Sequence, residues 1–206
     1  MKKTFFAAAV VAAFAFTSCS ESNTDNTAAT TEHHEEADHS EMDHAQAVVE
    51  TPDYTSGAEP VETQISQLVG EYLKLKDALV ASDADAARAA ANEVLTVAKA
   101  MPVASLLDTE AKAFAEEKTD KVISSATSIS GAADIDAQRE NLEQLSESVY
   151  AMAKAFGAND QQLYYQHCPM ALNDKGGYWL SSNEEIRNPY FGDKMLKCGS
   201  TKEVLD

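Results

Sequence analysis

The 206-residue chain carries 16 lysines and arginines against 34 aspartates and glutamates, a formal charge of −18. That surplus excludes nucleic acid and anionic lipid surfaces as natural partners and favours cations or cationic protein patches. Three cysteines in the whole chain are too few for a disulfide-built scaffold.

Lys2 and Lys3 precede an apolar run from Phe5 to Phe16, and small residues lead into Cys19, the pattern of a bacterial secretory signal. About 12 apolar residues are too few to span a bilayer, which takes roughly 20. The run Phe16-Thr17-Ser18-Cys19 resembles a lipobox, which implies cleavage before Cys19 and a lipid anchor on its thiol. The alternative is an ordinary cleaved signal that leaves Cys19 as a free thiol. Loss of residues 1–18 removes two lysines and no acid, leaving 14 basic and 34 acidic side chains, a charge of −20. The expected location is extracytoplasmic, with the protein lipid-anchored to a cell-envelope membrane in the periplasm or at the outer membrane.

Residues 19–60 read as an acidic, disordered tether: Ser20 to Pro60 holds 11 acids, no lysine or arginine, and few large apolar residues. Four of the five histidines fall here, and His33, His34, His39, Met42 and His44 make a weak candidate metal site. With no fold to preorganise the ligands, binding there is expected to be weak and pH-sensitive. A solvated linker with incidental histidines is the competing reading.

From Val61 the apolar spacing is helical. Ile65, Leu68, Val69, Tyr72, Leu73 and Leu79 form the stripe of a first helix. A second begins at Ser82, with Asp85 completing a capping box, runs through Ala90, Val94, Leu95 and Ala98, and stops at Met101 before Pro102. A third starts near Ser105 or Asp108, is expected to bury Leu107, Phe114, Val122, Ile123 and Ile129, and ends at Gly131. Asp134 caps a fourth, which carries Leu142, Leu145, Val149, Met152 and Phe156 and ends at Gly157. Four amphipathic helices with short connections predict an all-α fold, an up-down four-helix bundle over residues 61–206. Met101 and Met152 belong to its core.

Leu163 to Asp206 breaks the pattern and concentrates the chemistry: Cys168, Cys198, His167, Met170, Met195 and Trp179. An irregular segment is expected, with a short hairpin about Gly176-Gly177 and a short helix from Asn188-Pro189 to Gly199. Such a helix would place Met195 and Cys198 on one face. Extended backbone before Pro169 would point Cys168 and Met170 to one side and His167 to the other. Two sulfur pairs can then face each other, and thiolate with thioether selects Cu(I) or Ag(I). Cys168, Met170, Met195 and Cys198, with His167, are therefore the candidate metal ligands, and Trp179 is a candidate shield. The alternative is a Cys168–Cys198 disulfide that staples the segment to the helices, with Met170 and Met195 as gap-fillers and Tyr164, Tyr178 and Trp179 as a packed lid.

The text His167-Cys168-Pro169-Met170, Gly177-Tyr178-Trp179-Leu180 and Asn188-Pro189-Tyr190-Phe191-Gly192 resembles the domain of unknown function 3347 family of Gram-negative envelope lipoproteins. That domain also occurs attached to membrane-fusion adaptors of copper and silver efflux pumps. Cys168-Pro169-Met170 is similar to a heavy-metal-binding motif of such adaptors, although there histidine follows the methionine and here Ala171 does. The resemblance implies an anchored domain that binds or hands on copper-class ions, with efflux-pump adaptor components as partners. A structural or adaptor module with the disulfide is the competing function. Catalysis is not expected: an extended segment turns His167 away from Cys168, and no haem, phosphate-loop or dinucleotide motif is present.

Overall fold

In the computed structural model the described residues are 50–206, apart from Gly57 and Asn159. They all lie within one compact unit. The expected signal segment, Cys19 and the tether residues His33, His34, His39, Met42 and His44 fall outside the described residues.

The architecture is mostly helical, with five helices followed by a small antiparallel sheet. Helix α1, Glu59–Val80, opens on Pro60 and buries Val61, Ile65, Leu68, Tyr72, Leu75 and Leu79 at helical spacing. Helix α2, Ala84–Lys99, turns Ala87, Ala91, Val94 and Ala98 inward, small residues that permit close approach. Its cap is Asp83, whose carboxylate accepts from the Ala86 N–H at 2.9 Å. The expected cap, Ser82, instead sits in the left-handed region at φ 56°.

Helix α3, Thr109–Gly131, is capped by Asp108, which accepts from the N–H groups of Glu110 and Ala111. Leu107 is not buried as expected but 97% exposed, while Leu106 enters the core. The helix starts only at Thr109, so Leu107 never joins its stripe. The expected fourth helix is interrupted: α4, Ile135–Glu140, and α5, Leu142–Phe156, meet at Asn141. The Asn141 amide donates to the Ala137 carbonyl at 3.0 Å and so competes with the backbone ladder. Gly157, at φ 64°, ends α5. Helix α1 packs on α2 and α5, α2 on α3, and α3 on α5.

Folded structure begins before Val61. Tyr54, assigned from sequence to the tether, donates its N–H to Ala155 and lays its ring against Phe114 and Phe156, with centroids 5.7 and 5.5 Å away.

The all-α expectation is corrected at the carboxy end. Strands β1 (Leu163–Cys168), β2 (Gly177–Ser181) and β3 (Ser200–Leu205) form an antiparallel sheet in the order β2-β1-β3. Tyr165 pairs with Leu180 on one side and Glu203 on the other, and a bulge follows it. Aromatic-rich β1 and β2 suit a buried sheet. The expected helix from Asn188 to Gly199 is reduced to a single 3₁₀ turn, Gly192–Lys194. Gly192 sits at φ 56°, and a Cβ there would lie 2.5 Å from Ser82 Oγ and 3.0 Å from the Val80 carbonyl, so both backbone and space call for glycine. Met195 and Cys198 therefore share no helical face. Among the described residues, no helix is long and apolar enough to cross a membrane.

Candidate functional site

The carboxy-terminal cap is built by side chains that reach distant backbone. Cys168, at the end of β1, is disulfide-bonded to Cys198, 30 residues on, with Cα atoms 5.7 Å apart. Between them, buried Asn188 organises the loop. Its Nδ2 donates to the Cys198 carbonyl at 2.9 Å and its Oδ1 accepts from Tyr190 N–H at 2.8 Å, while its own N–H donates to Leu196. Arg139, buried on α4, donates through Nε to the Pro189 carbonyl and through Nη2 to the Leu79 carbonyl and Ser82 Oγ. One guanidinium thus ties the loop to the end of α1.

A second set of bonds joins α5 to the sheet. Glu143 accepts from Tyr178 N–H at 2.6 Å and from the Tyr190 hydroxyl at 2.8 Å. That hydroxyl also lies 2.7 Å from the Tyr178 carbonyl, and its one proton serves one acceptor at a time. Burial pushes the Glu143 carboxyl up to about 7 against the opposing effect of both donors. The Tyr72 hydroxyl pairs with Ser146 at 2.7 Å and accepts from Leu180 N–H at 3.1 Å. Tyr150 donates to Glu203, which also meets Lys154 at 2.8 Å.

The aromatic rings form a ladder from helix to sheet. Tyr150 stacks on Tyr165 at 3.8 Å, Tyr165 on Tyr178 at 4.9 Å, and His167 lies 4.2 Å from Tyr178. His167 is held below the usual imidazole range by burial and then by Lys202. Gly176 lies against this ring: a Cβ there, at φ 87°, would be 2.5 Å from His167 Nε2.

The five candidate ligands are thus divided among three places. Cys168 and Cys198 meet, as a disulfide. Met170 ends the strand in a helical conformation instead of continuing extended, so it does not follow Cys168 inward and is 47% exposed. Met170 and Met195 line one cavity of about 720 Å³ beside α4, and neither cysteine lines it. His167 belongs to the aromatic ladder. Trp179 is fully buried and donates to Gln166 Oε1 at 2.8 Å, its ring lying under Gly199 next to the disulfide. No group of three or more histidine, cysteine or acidic side chains among the described residues is placed to hold a metal ion.

Sequence reasoning missed Arg139, Glu143, Ser146 and Tyr150, and read Asn188 only as the start of a helix. A signal for three of them existed. Glu143, Ser146 and Tyr150 recur at steps of three and four beside the apolar stripe of α5, a second face able to meet something polar.

Comparison with known proteins adds one match. Residues 68–161 match the family described as Protein of unknown function (DUF3347). This is the family that the sequence resembles. The DUF3347 match runs from α1 through α5 and stops before β1, so the cap lies outside it. No curated protein and no solved structure matches the chain.

Proposed function

We propose that this protein is a non-catalytic adaptor module of the cell envelope, lipid-anchored through Cys19, whose cap is its binding surface. In this reading the helices form an up-down four-helix bundle, with α4 and α5 together as the fourth member, and serve as the scaffold. The observation that carries it is the Cys168–Cys198 disulfide. It ties up both thiolates that a soft-metal site would use and locks the loop that surrounds the cavity. The acidic tether serves as spacer. Efflux-pump adaptor components remain the partners proposed from the resemblance.

A second reading, a site that binds or hands on Cu(I) or silver, is favoured by Met170 and Met195 lining the same cavity. It requires reduction before Cys168 and Cys198 can contribute. The discriminating experiment is a competition titration against a colorimetric Cu(I) chelator. It uses the chain with His33, His34, His39 and His44 replaced by alanine, oxidised and reduced. The adaptor reading expects no copper taken from the chelator in either state. Uptake of about one Cu(I) by the reduced protein, lost in Cys168→Ser and kept in Met101→Leu, would establish the metal site instead. Radiolabelled palmitate that persists in Cys19→Ala would defeat the anchor.

A further inference from the structure

We propose that the cavity between α4 and the cap is a binding site for an organic cation with an apolar body. The proposal rests on the reading of the cap as a binding surface and names what that surface takes. The cavity, about 720 Å³, has the size of a small-molecule site. Its lining is soft and apolar on one side, with Met170, Leu172, Tyr190, Phe191 and Met195. Met170 is among the few large apolar side chains left exposed among the described residues. Thioethers and an aromatic face together suit the polarizable surface of a cationic head and its hydrocarbon.

Charge decides between ligand classes. Arg139 lines the cavity, but its guanidinium is spent on Pro189, Leu79, Ser82 and Asp136, whose carboxylate lies 3.2 Å from Nη1. Glu140 and Asp174 stand on the rim without an ion pair or hydrogen bond among the described residues, opposed only by Lys175. An anion would face this surplus, and a neutral ligand would leave it unused. The wall is also fixed in advance. Leu172, Asn173 and Asp174 all hold left-handed backbone, at φ 53°, 59° and 62°, within the loop the disulfide closes.

The test uses the chain from Cys19 onward with Cys19→Ser, its methionines labelled as ¹³C-methyl, titrated with benzyltrimethylammonium. The Met170 and Met195 methyl signals should shift saturably in the millimolar range or below, while Met101 and Met152 in the core stay put. Benzyl alcohol should bind about tenfold more weakly, and so should the cation to Glu140→Gln/Asp174→Asn. The unmoved core methyls report that this variant is folded. Equal affinity for benzyl alcohol would overturn the cation assignment while leaving the cap as a binding surface. If none of these ligands moves Met170 or Met195 at about 10 mM, the cavity is not a binding site and the proposal is wrong.

Discussion

Between Glu59 and Phe156 the interior is mostly aliphatic, with Tyr72, Tyr150 and Phe156 set into it, and Asp83, Asp108, Asp134 and Gly157 mark helix ends locally, so much of the bonding is between neighbours in sequence. Between Leu163 and Asp206 the reverse holds. The cap depends on Asn188 reaching Cys198, Glu143 reaching Tyr178 and Arg139 reaching Pro189 and Leu79, partners 10 to 60 residues apart. Aliphatic packing tolerates small adjustments and degrades gradually. A cap of buried polar groups depends on every partner being present, because each orphaned group bears its full desolvation cost. The cap should therefore be the part that a single chemical change can detach.

The largest expected effect is loss of the staple. Closing a loop of 30 residues contributes about 3 to 4 kcal/mol on the chain-entropy account, so Cys168→Ala/Cys198→Ala should lower urea stability by that amount. In hydrogen exchange the β1, β2 and β3 amides should lose protection while α2 and α3 keep theirs. Equal loss in helices and strands would show one cooperative unit and break the comparison. Next comes Asn188→Ala, which orphans the Cys198 carbonyl and the Tyr190 N–H. About 2 to 3 kcal/mol should be lost, read from the same urea curves, and a change under 1 kcal/mol would remove Asn188 from its organising role.

Glu143 sharpens the comparison through pH. Its folded pKa of about 7 lies above the ordinary carboxyl value of 4.5, so the folded state holds the proton more tightly. Its contribution is complete below about 4.5 and is lost as pH rises through 7. Stability should thus fall between these limits. Glu143→Gln keeps an acceptor for Tyr178 and Tyr190 but removes the buried charge. It should flatten that slope and gain about 1 to 2 kcal/mol at pH 8. A slope unchanged in the variant would assign the titration to another group.

What was legible follows the same division. The stripes Ile65, Leu68, Tyr72 and Leu142, Leu145, Val149 announce helices because burial at helical spacing is a local property, and Asp108, Asp134 and Gly157 punctuate them locally. In the cap a hairpin was readable but misplaced, since Gly177 already lies in β2 opposite Cys168 and the connection is Pro169 to Gly176, and β3 was not readable at all. Ser200–Leu205 alternates between exposed and half-buried until Leu205, so little in its own composition marks it as a strand. Its place is set by pairing with β1, nearly forty residues earlier. The same holds for the loop from Asn188 to Gly199. Its Asn-Pro opening suits a helix, but Asn188 instead bonds across the loop to Cys198 and Leu196, and Gly192 packs closely on the far end of α1. Likewise, sequence brought the two cysteines and the two methionines into one neighbourhood but could not sort them into a disulfide and a cavity wall.

The smallest expected effect tests where that local reading failed. Leu106 and Leu107 are identical in chemistry and adjacent in sequence, and spacing alone assigned the second to the third helix. Asp108 overrides that assignment. As cap it holds extended backbone, so α3 starts one residue later and the side chains before it alternate, Leu106 inward and Leu107 outward. Leu106 is 8% exposed and Leu107 97%. Leu106→Ala should therefore cost about 2 kcal/mol or more, as a core truncation does. Leu107→Ala should stay within about 0.5 kcal/mol, because no contact is lost. Asp108→Ala couples the two. It costs about 1 kcal/mol by removing the cap and also frees the alternation, so in its background the two alanine effects should converge. Thermal unfolding of the single and double variants measures this. Effects that stay as far apart without the cap as with it would show that burial of Leu106, and not Asp108, fixes where the helix begins.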